Sequence, residues 1–266
     1  MRVRAENHTE FDRRSMLKTF VILISGWALV SNGLAAETNK AELKKLIVSV
    51  ADAGGELKGI PFTDVISATT GKRILPFDKN NDVDRELLSK IGTALDEVIK
   101  RMNATNSVAQ KQRRINEVSS HFENEMKRLL NEVPGFSCDY PRLASGKVQR
   151  SGYPDLRLED KKSGRIVYLD PKLYEQTSRD SSLRTFYFEP KTDTNKVLDD
   201  AHHLIVGFAH DGKESRSWKF LGWELVDLAQ FKVRLKAEFQ GSNRDLYQED
   251  AIVGKSGKIG TQSIRE

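Results

Sequence analysis

Residues 153–173, YPDLRLEDKKSGRIVYLDPKL, contain the pattern that most limits the folds open to this chain. Two short runs of alternating apolar residues, Leu156–Leu158 and Ile166–Leu169, stand on either side of a polar segment. That segment includes Gly164, whose backbone freedom suits a tight connection between strands. The sequence therefore predicts a β-hairpin here, and with it a sheet.

Charged residues stand at one end of this predicted hairpin. Asp155 comes directly before the first strand, and Asp170 and Lys172 come at the end of the second. Because alternate residues of a strand point to the same face, Asp170 and Lys172 are expected to share one face. Two carboxylates can hold Mg²⁺ beside a substrate phosphate, and a neighbouring lysine can orient an attacking water. The pattern indicates hydrolysis of a phosphodiester.

The motif formed by Pro154, Asp155, Asp170 and Lys172 resembles that of the PD-(D/E)xK nucleases, which share the restriction-endonuclease-like fold. The resemblance implies that Asp155 and Asp170 bind the metal and that Lys172 is the catalytic lysine. It also implies an α/β (α+β) fold in which a mixed central sheet is flanked by helices.

Two features leave the second half of the motif open. Pro171 has no N–H for a sheet ladder, so the second strand is expected to be at an edge, bulged or ending there. A second candidate, Glu189–Lys191, follows the apolar run 185–188, which has the pattern of a strand. The sequence does not choose between Asp170–Lys172 and Glu189–Lys191.

The region before the hairpin has helical periodicity. Apolar residues at three- and four-residue spacing predict one helix over 82–102 and another over about 108–133. Glu125 interrupts the apolar stripe of the second helix, where an unpaired carboxylate would be costly. The resemblance maps a helix-borne metal ligand to Glu125, with Glu117 and Glu132 as further candidates. A salt bridge or solvent contact at the edge of the stripe is the structural alternative.

The C-terminal half predicts more of the sheet. Apolar runs at 204–209 and 218–228 have the pattern of buried strands, and the segment just before the first of them has that of a short helix start. The adjacent residues His202 and His203 point in different directions in either a strand or a helix. They are therefore predicted to be structural or surface residues, as is His210.

Residues 1–36 have the order of an export signal. The pair Arg13–Arg14 precedes an apolar run at 20–30 and then small residues, with a cleavage position near Ala35 or Ala36. The arginine pair resembles a twin-arginine signal. We therefore predict an exported protein, periplasmic or secreted, without stable membrane association after signal removal. A start at Met16 with an ordinary secretion signal, an uncleaved membrane anchor and a cytoplasmic protein remain alternatives.

Composition and motifs together define the predicted organisation. A helical region at 37–107 precedes a nuclease-like core at 108–253 and a flexible basic tail at 254–266. The single cysteine, Cys138, excludes an intramolecular disulfide and multi-cysteine zinc motifs. The net charge of +5 fits an anionic partner.

The predicted function is that of a Mg²⁺-dependent nuclease that cuts DNA as an endonuclease. A noncatalytic exported protein that keeps the fold and binds nucleic acid or protein is the alternative. RNA as substrate and a homodimeric state are left open.

Overall fold

The computed structural model describes residues 40–49, 57–183, 185–191, 193–213, 217–236, 242–248 and 250–254. Two compact units are present, one made of residues 58–234 and the other of the segments before and after it. The predicted export signal and nearly all of the predicted tail lie outside the described residues, and the predicted domain limits stay predictions. No helix within the described ranges is long and apolar enough to cross a membrane.

The elements follow one another in a mainly helical first half and a mainly stranded second half. In the unit made of the two flanking segments, α1 covers residues 40–49 and α6 covers Asn243–Leu246. The elements of residues 58–234 are β1 (Ile60–Pro61), α2 (Phe62–Thr70), α3 (Asp82–Asn103), α4 (Val108–Lys111), α5 (Ile115–Glu132), β2 (Phe136–Asp139), β3 (Leu156–Asp160), β4 (Arg165–Glu175), a 3₁₀ turn (Gln176–Ser178), β5 (His202–His210), β6 (Phe220–Asp227), a second 3₁₀ turn (Leu228–Gln230) and β7 (Lys232–Val233).

The central sheet is mixed and has the strand order β2-β3-β4-β5-β6. Strands β4 and β5 are parallel, and the other neighbours are antiparallel. Short strands β1 and β7 form a separate antiparallel pair. Together with the helices this is an α+β architecture, which confirms the predicted fold class.

Helices α3 and α5 cover one face of the sheet because each has one continuous apolar stripe. The side chain of Asn81 caps α3 by accepting hydrogen bonds from two backbone N–H groups of its first turn. On α5, Phe122 is fully buried, and its ring lies 4.5 Å from that of Phe208 and 4.8 Å from that of Phe220. This contact joins the helix to β5 and to the edge strand β6.

The single helix predicted over 108–133 is wrong, since the chain breaks into α4 and α5. Arg114 has an extended backbone and stands before the first turn of α5. The carboxylate of Glu117 accepts from the N–H groups of Arg113 and Arg114, each at 3.2 Å. This capping interaction starts a new helix where the apolar spacing alone predicted a continuous one.

The other face of the sheet carries a second, aromatic core. Phe62 at the start of α2 is fully buried, and its ring lies edge-on to those of Phe186 and Phe188, at 5.1 and 5.6 Å. The strand predicted over 185–188 is therefore wrong, because its apolar side chains pack as part of a coil segment. The helix start predicted before β5 is also wrong, since residues 195–200 are irregular.

The hairpin prediction is confirmed. Strands β3 and β4 pair antiparallel, and the N–H of Gly164, at φ +70°, donates to the carbonyl of Asp160. Strand β3 begins at Leu156, opposite Leu169, so β4 runs on past the start of its neighbour. Pro171 lies in this extension, where β5 is its paired neighbour. The expectation of an edge strand, a bulge or a strand end at Pro171 is therefore wrong, because β4 is the middle strand of the sheet and continues to Glu175. The proline is tolerated where β4 has lost β3 as a neighbour and pairs with β5 alone.

Candidate active site

The alternation of side chains along β4 places its apolar residues on one face of the sheet and its polar and charged residues on the other. Val167 and Leu169 are buried in the core beneath α3 and α5. Tyr168, Asp170 and Lys172 therefore share the opposite face. Asp170 is only 2% exposed, which is unusual for a carboxylate.

Strand pairing brings Asp155 to Asp170. Leu156 pairs with Leu169, so continuing the same register by one residue sets Asp155 beside Asp170. The two carboxyl groups are close enough to hydrogen-bond. Burial, followed by the charge of Asp170, raises the pKa of Asp155, while the charge of Lys172 opposes the rise. It is therefore unfavourable for both carboxyl groups to be ionised at this site without a cation.

Lys172 lies against the same pair. Its Nζ is 2.6 Å from Oδ2 of Asp170, although this oxygen lacks a hydrogen bond of good geometry and is otherwise buried without a partner. The two groups are close enough to form an ion pair but do not form a hydrogen bond. Asp170 Oδ2 can therefore still bind a cation. The side chain of Lys172 is 32% exposed, so its ammonium can reach a bound substrate.

The donor set fits a hard divalent cation. Asp155 and Asp170 offer carboxylate oxygens, and a cation between them would relieve their repulsion. Within the described ranges, no group of three or more histidine, cysteine, aspartate or glutamate residues is arranged to hold a metal. A site with two carboxylates suits Mg²⁺, which retains several waters and usually takes one or two protein carboxylates.

The structure places Glu125 away from this pair. Its carboxylate binds the guanidinium of Arg128, and that of Arg101 lies 3.5 Å away. The glutamate of α5 whose charge acts on Asp155 is Glu123, whose effect is to raise the pKa of Asp155 further. The structure thus brings Asp155, Asp170 and Lys172 together, but not Glu125.

The sequence pattern could not distinguish Glu123 from Glu125 as the glutamate that acts on Asp155. Glu123 and Glu125 border the buried stripe of α5 on opposite flanks, and their side chains are 18% and 19% exposed. Helical periodicity treats such positions alike. The flank that faces the hairpin is set by how α5 lies across the sheet.

The alternative half-motif, Glu189–Lys191, does not join the site through any strand. Its two charged side chains pair with each other at 2.9 Å, and both are about half exposed.

His203 lies in the interior, where its Nδ1 is 2.6 Å from the hydroxyl of Tyr153. Burial lowers the pKa of His203 to about 3, so the ring is neutral and structural, as predicted.

Comparison with known proteins agrees with this geometry. The sequence model of the family described as type II restriction enzyme MjaV matches residues 55–250. The type II restriction enzyme MjaV of Methanocaldococcus jannaschii is 33% identical over 207 residues, which is 74% of this chain and 89% of that protein. The chain belongs to the MjaV family of type II restriction enzymes. Restriction endonucleases are members of the PD-(D/E)xK superfamily, so the resemblance found in the motif is confirmed.

In this MjaV family member, the sequence motif missed one further charged residue at the site. Lys196 is 1% exposed, and the charges of Asp155, Asp170 and Glu123 act on its ammonium. The polar segment around Lys196 has no periodicity that would predict burial. A cavity of ≈ 290 Å³ adjoins this lysine and Tyr168 on the same side of the sheet.

Proposed function

We propose that this protein is a Mg²⁺-dependent endonuclease that hydrolyses phosphodiester bonds of DNA. The observation that carries the proposal is the meeting of Asp155, Asp170 and Lys172 in a chain that belongs to a family of type II restriction enzymes. Membership of that family supports a DNA-cleaving hydrolase. The metal and the role of each residue rest on the chemistry of the site.

Asp155 and Asp170 are the residues that would hold Mg²⁺, and the backbone carbonyl of Pro171 is a further oxygen donor between Asp170 and Lys172. The ion would stabilise charge on the phosphate and lower the pKa of a bound water. In this proposal Glu123, and not the Glu125 to which the resemblance pointed, is the glutamate of α5 that acts on the site. Its negative charge acts on Asp155, while its own carboxylate pairs with Arg150 at 3.2 Å.

Lys172 would act on the attacking water and the phosphate. Its ammonium pairs with the buried carboxylate of Asp170, and its side chain is partly exposed to solvent. An ammonium held in this way can orient a water for attack and offset the negative charge that develops on the phosphate. It needs little rearrangement when the substrate binds, because the ion pair already restricts it.

Two basic side chains near the helix glutamate Glu123 are candidates for contacts to DNA, although each also pairs with a carboxylate, Lys127 with Asp139 and Arg150 with Glu123. Lys127 Nζ and Arg150 Cζ each lie 4.5 Å from the centre of the Tyr140 ring. Arg150 contacts Glu123 at 3.2 Å, so these side chains adjoin the glutamate whose charge acts on Asp155. Cations placed in this way can contact the phosphates on either side of the scissile bond.

Cleavage of supercoiled plasmid tests the proposal, because a closed circle has no ends for an exonuclease. The full chain is incubated with Mg²⁺, with EDTA, and as the variant Lys172→Ala. We expect cleavage with Mg²⁺, none with EDTA, and a loss of at least about 100-fold in Lys172→Ala, the scale of removing one charge-stabilising group. The control is Lys191→Ala, which removes an exposed lysine that binds Glu189 and should leave the rate unchanged.

Three outcomes would contradict parts of the proposal. Cleavage that persists in EDTA would exclude the metal dependence. DNA binding without cleavage, unchanged in Lys172→Ala, would support the noncatalytic alternative. Cleavage of RNA in preference to DNA would overturn the substrate class.

A further inference from the structure

Lys196 is a buried cation beside the proposed metal ligands. It is 1% exposed, and its Nζ donates a hydrogen bond to the carbonyl of Gly152. Burial lowers the pKa of Lys196, whereas the charges of Asp155 and then Asp170 favour the ammonium. A buried ammonium is costly unless it is paired and hydrogen-bonded, so this lysine requires an explanation.

The strands of the site fix the position of Lys196. The hydroxyl of Tyr168, on β4, accepts from Leu198 N–H at 3.0 Å and donates to the carboxylate of Asp199 at 2.8 Å. Arg157, on β3, binds the same carboxylate at 2.8 Å. The segment that carries Lys196 is thus held by β3 and β4, the two strands beside the carboxylates.

The side chain of Lys196 holds the segment that leads to Asp155. Gly152, its partner, lies three residues before Asp155. The next residue, Tyr153, is 8% exposed and is held by the ring of His203. The segment is therefore fastened to the rest of the unit at two successive residues just before the carboxylate.

We propose that Lys196 is a positioning residue of this site, which holds Asp155 in place for the metal through the carbonyl of Gly152. This inference rests on the proposed function, in which Asp155 is a ligand of Mg²⁺. Replacing a residue that orients a metal ligand without touching the metal typically lowers metal affinity or activity by about 10- to 100-fold. A lysine that served stability alone would change neither in the folded protein.

The test compares Lys196→Met with Lys196→Arg. The methionine fills similar volume without a donor or a charge, and the arginine retains both. For Lys196→Met we expect a kcat lower by about 10- to 100-fold, an unchanged KM for plasmid, and a Mg²⁺ Kd that is weaker by about 10-fold in calorimetry without DNA. Lys196→Arg should recover part of both losses. Lys191→Met, five residues earlier, is the control and should match the wild type.

A second variant keeps the test decisive if Lys196→Met does not fold. Tyr153→Phe removes only the hydroxyl that binds His203, and it should change kcat and the Mg²⁺ Kd in the same direction. A wild-type Kd and kcat in Lys196→Met, or in Tyr153→Phe where the first variant is unfolded, would overturn the proposal. A rise in KM alone would also overturn it, because it would indicate a phosphate contact.

Calorimetry separates this inference from the proposed function. A wild-type protein that binds Mg²⁺ without cutting DNA would count against the nuclease activity alone. The dependence of the Mg²⁺ Kd on Lys196 would then still support or overturn the positioning role.

Discussion

Replacing Asp155 with asparagine should stabilise the metal-free protein while abolishing cleavage of DNA. Burial, and then the charge of Asp170, raises the pKa of Asp155 from 3.8 to about 8. The folded protein therefore binds this proton more tightly than the unfolded chain does. An uncharged amide avoids the cost of placing two carboxylates together, and it is a poorer ligand for Mg²⁺.

The sign and size follow from proton linkage. Between the unfolded-state pKa of 3.8 and the raised folded-state pKa, the folded protein binds more protons, so its stability falls as the pH rises. Each pKa unit corresponds to about 1.4 kcal/mol, which sets a ceiling of about 4 kcal/mol near neutral pH. The ammonium of Lys172 already offsets part of the repulsion. We therefore expect Asp155→Asn to raise the free energy of unfolding by about 1–3 kcal/mol.

Urea unfolding in EDTA from about pH 5 to about pH 9 measures this effect across the window of the raised pKa. The stability of the wild type should fall relative to that of Asp155→Asn as the pH rises. Asp180→Asn is the control, because the side chain of Asp180 is 97% exposed. Added Mg²⁺ should stabilise the wild type and not Asp155→Asn. Equal pH slopes in the two proteins, or a less stable Asp155→Asn, would refute the reasoning.

The remaining predictions concern the helices. Glu123→Gln should lower the cleavage rate at least about 10-fold, whereas Glu125→Gln should leave it near the wild-type value, and equal effects in plasmid cleavage would argue against the choice of Glu123. A Cβ added at Gly92, on α3, would lie 2.9 Å from the ring of Trp223, so Gly92→Ala should lower the free energy of unfolding by about 1–3 kcal/mol in urea. Gly222→Ala meets no atom within 4 Å and should be close to neutral; a stable Gly92→Ala would show that the ring can move aside.

The sequence determined the hairpin and the three residues at its end. Strand alternation puts Asp170 and Lys172 on one face, and an antiparallel turn returns the chain so that Asp155 meets Asp170. These relations depend on residues within about twenty positions of one another. The stripe on α3 was equally readable, because helical periodicity is also a local property.

Only the tertiary structure decided the rest of the candidate site. Glu123 and Glu125 flank one apolar stripe almost equally, and the packing of α5 on the sheet selects which of them faces Asp155. Lys196 belongs to a coil segment that is distant in sequence from Gly152; its Nζ bonds to the carbonyl of Gly152, and Leu198 of the same segment bonds to Tyr168 of the hairpin. A sequence pattern encodes periods of two and 3.6 residues within single elements. It does not encode the angle at which two elements meet, or the path of a coil segment that has no period.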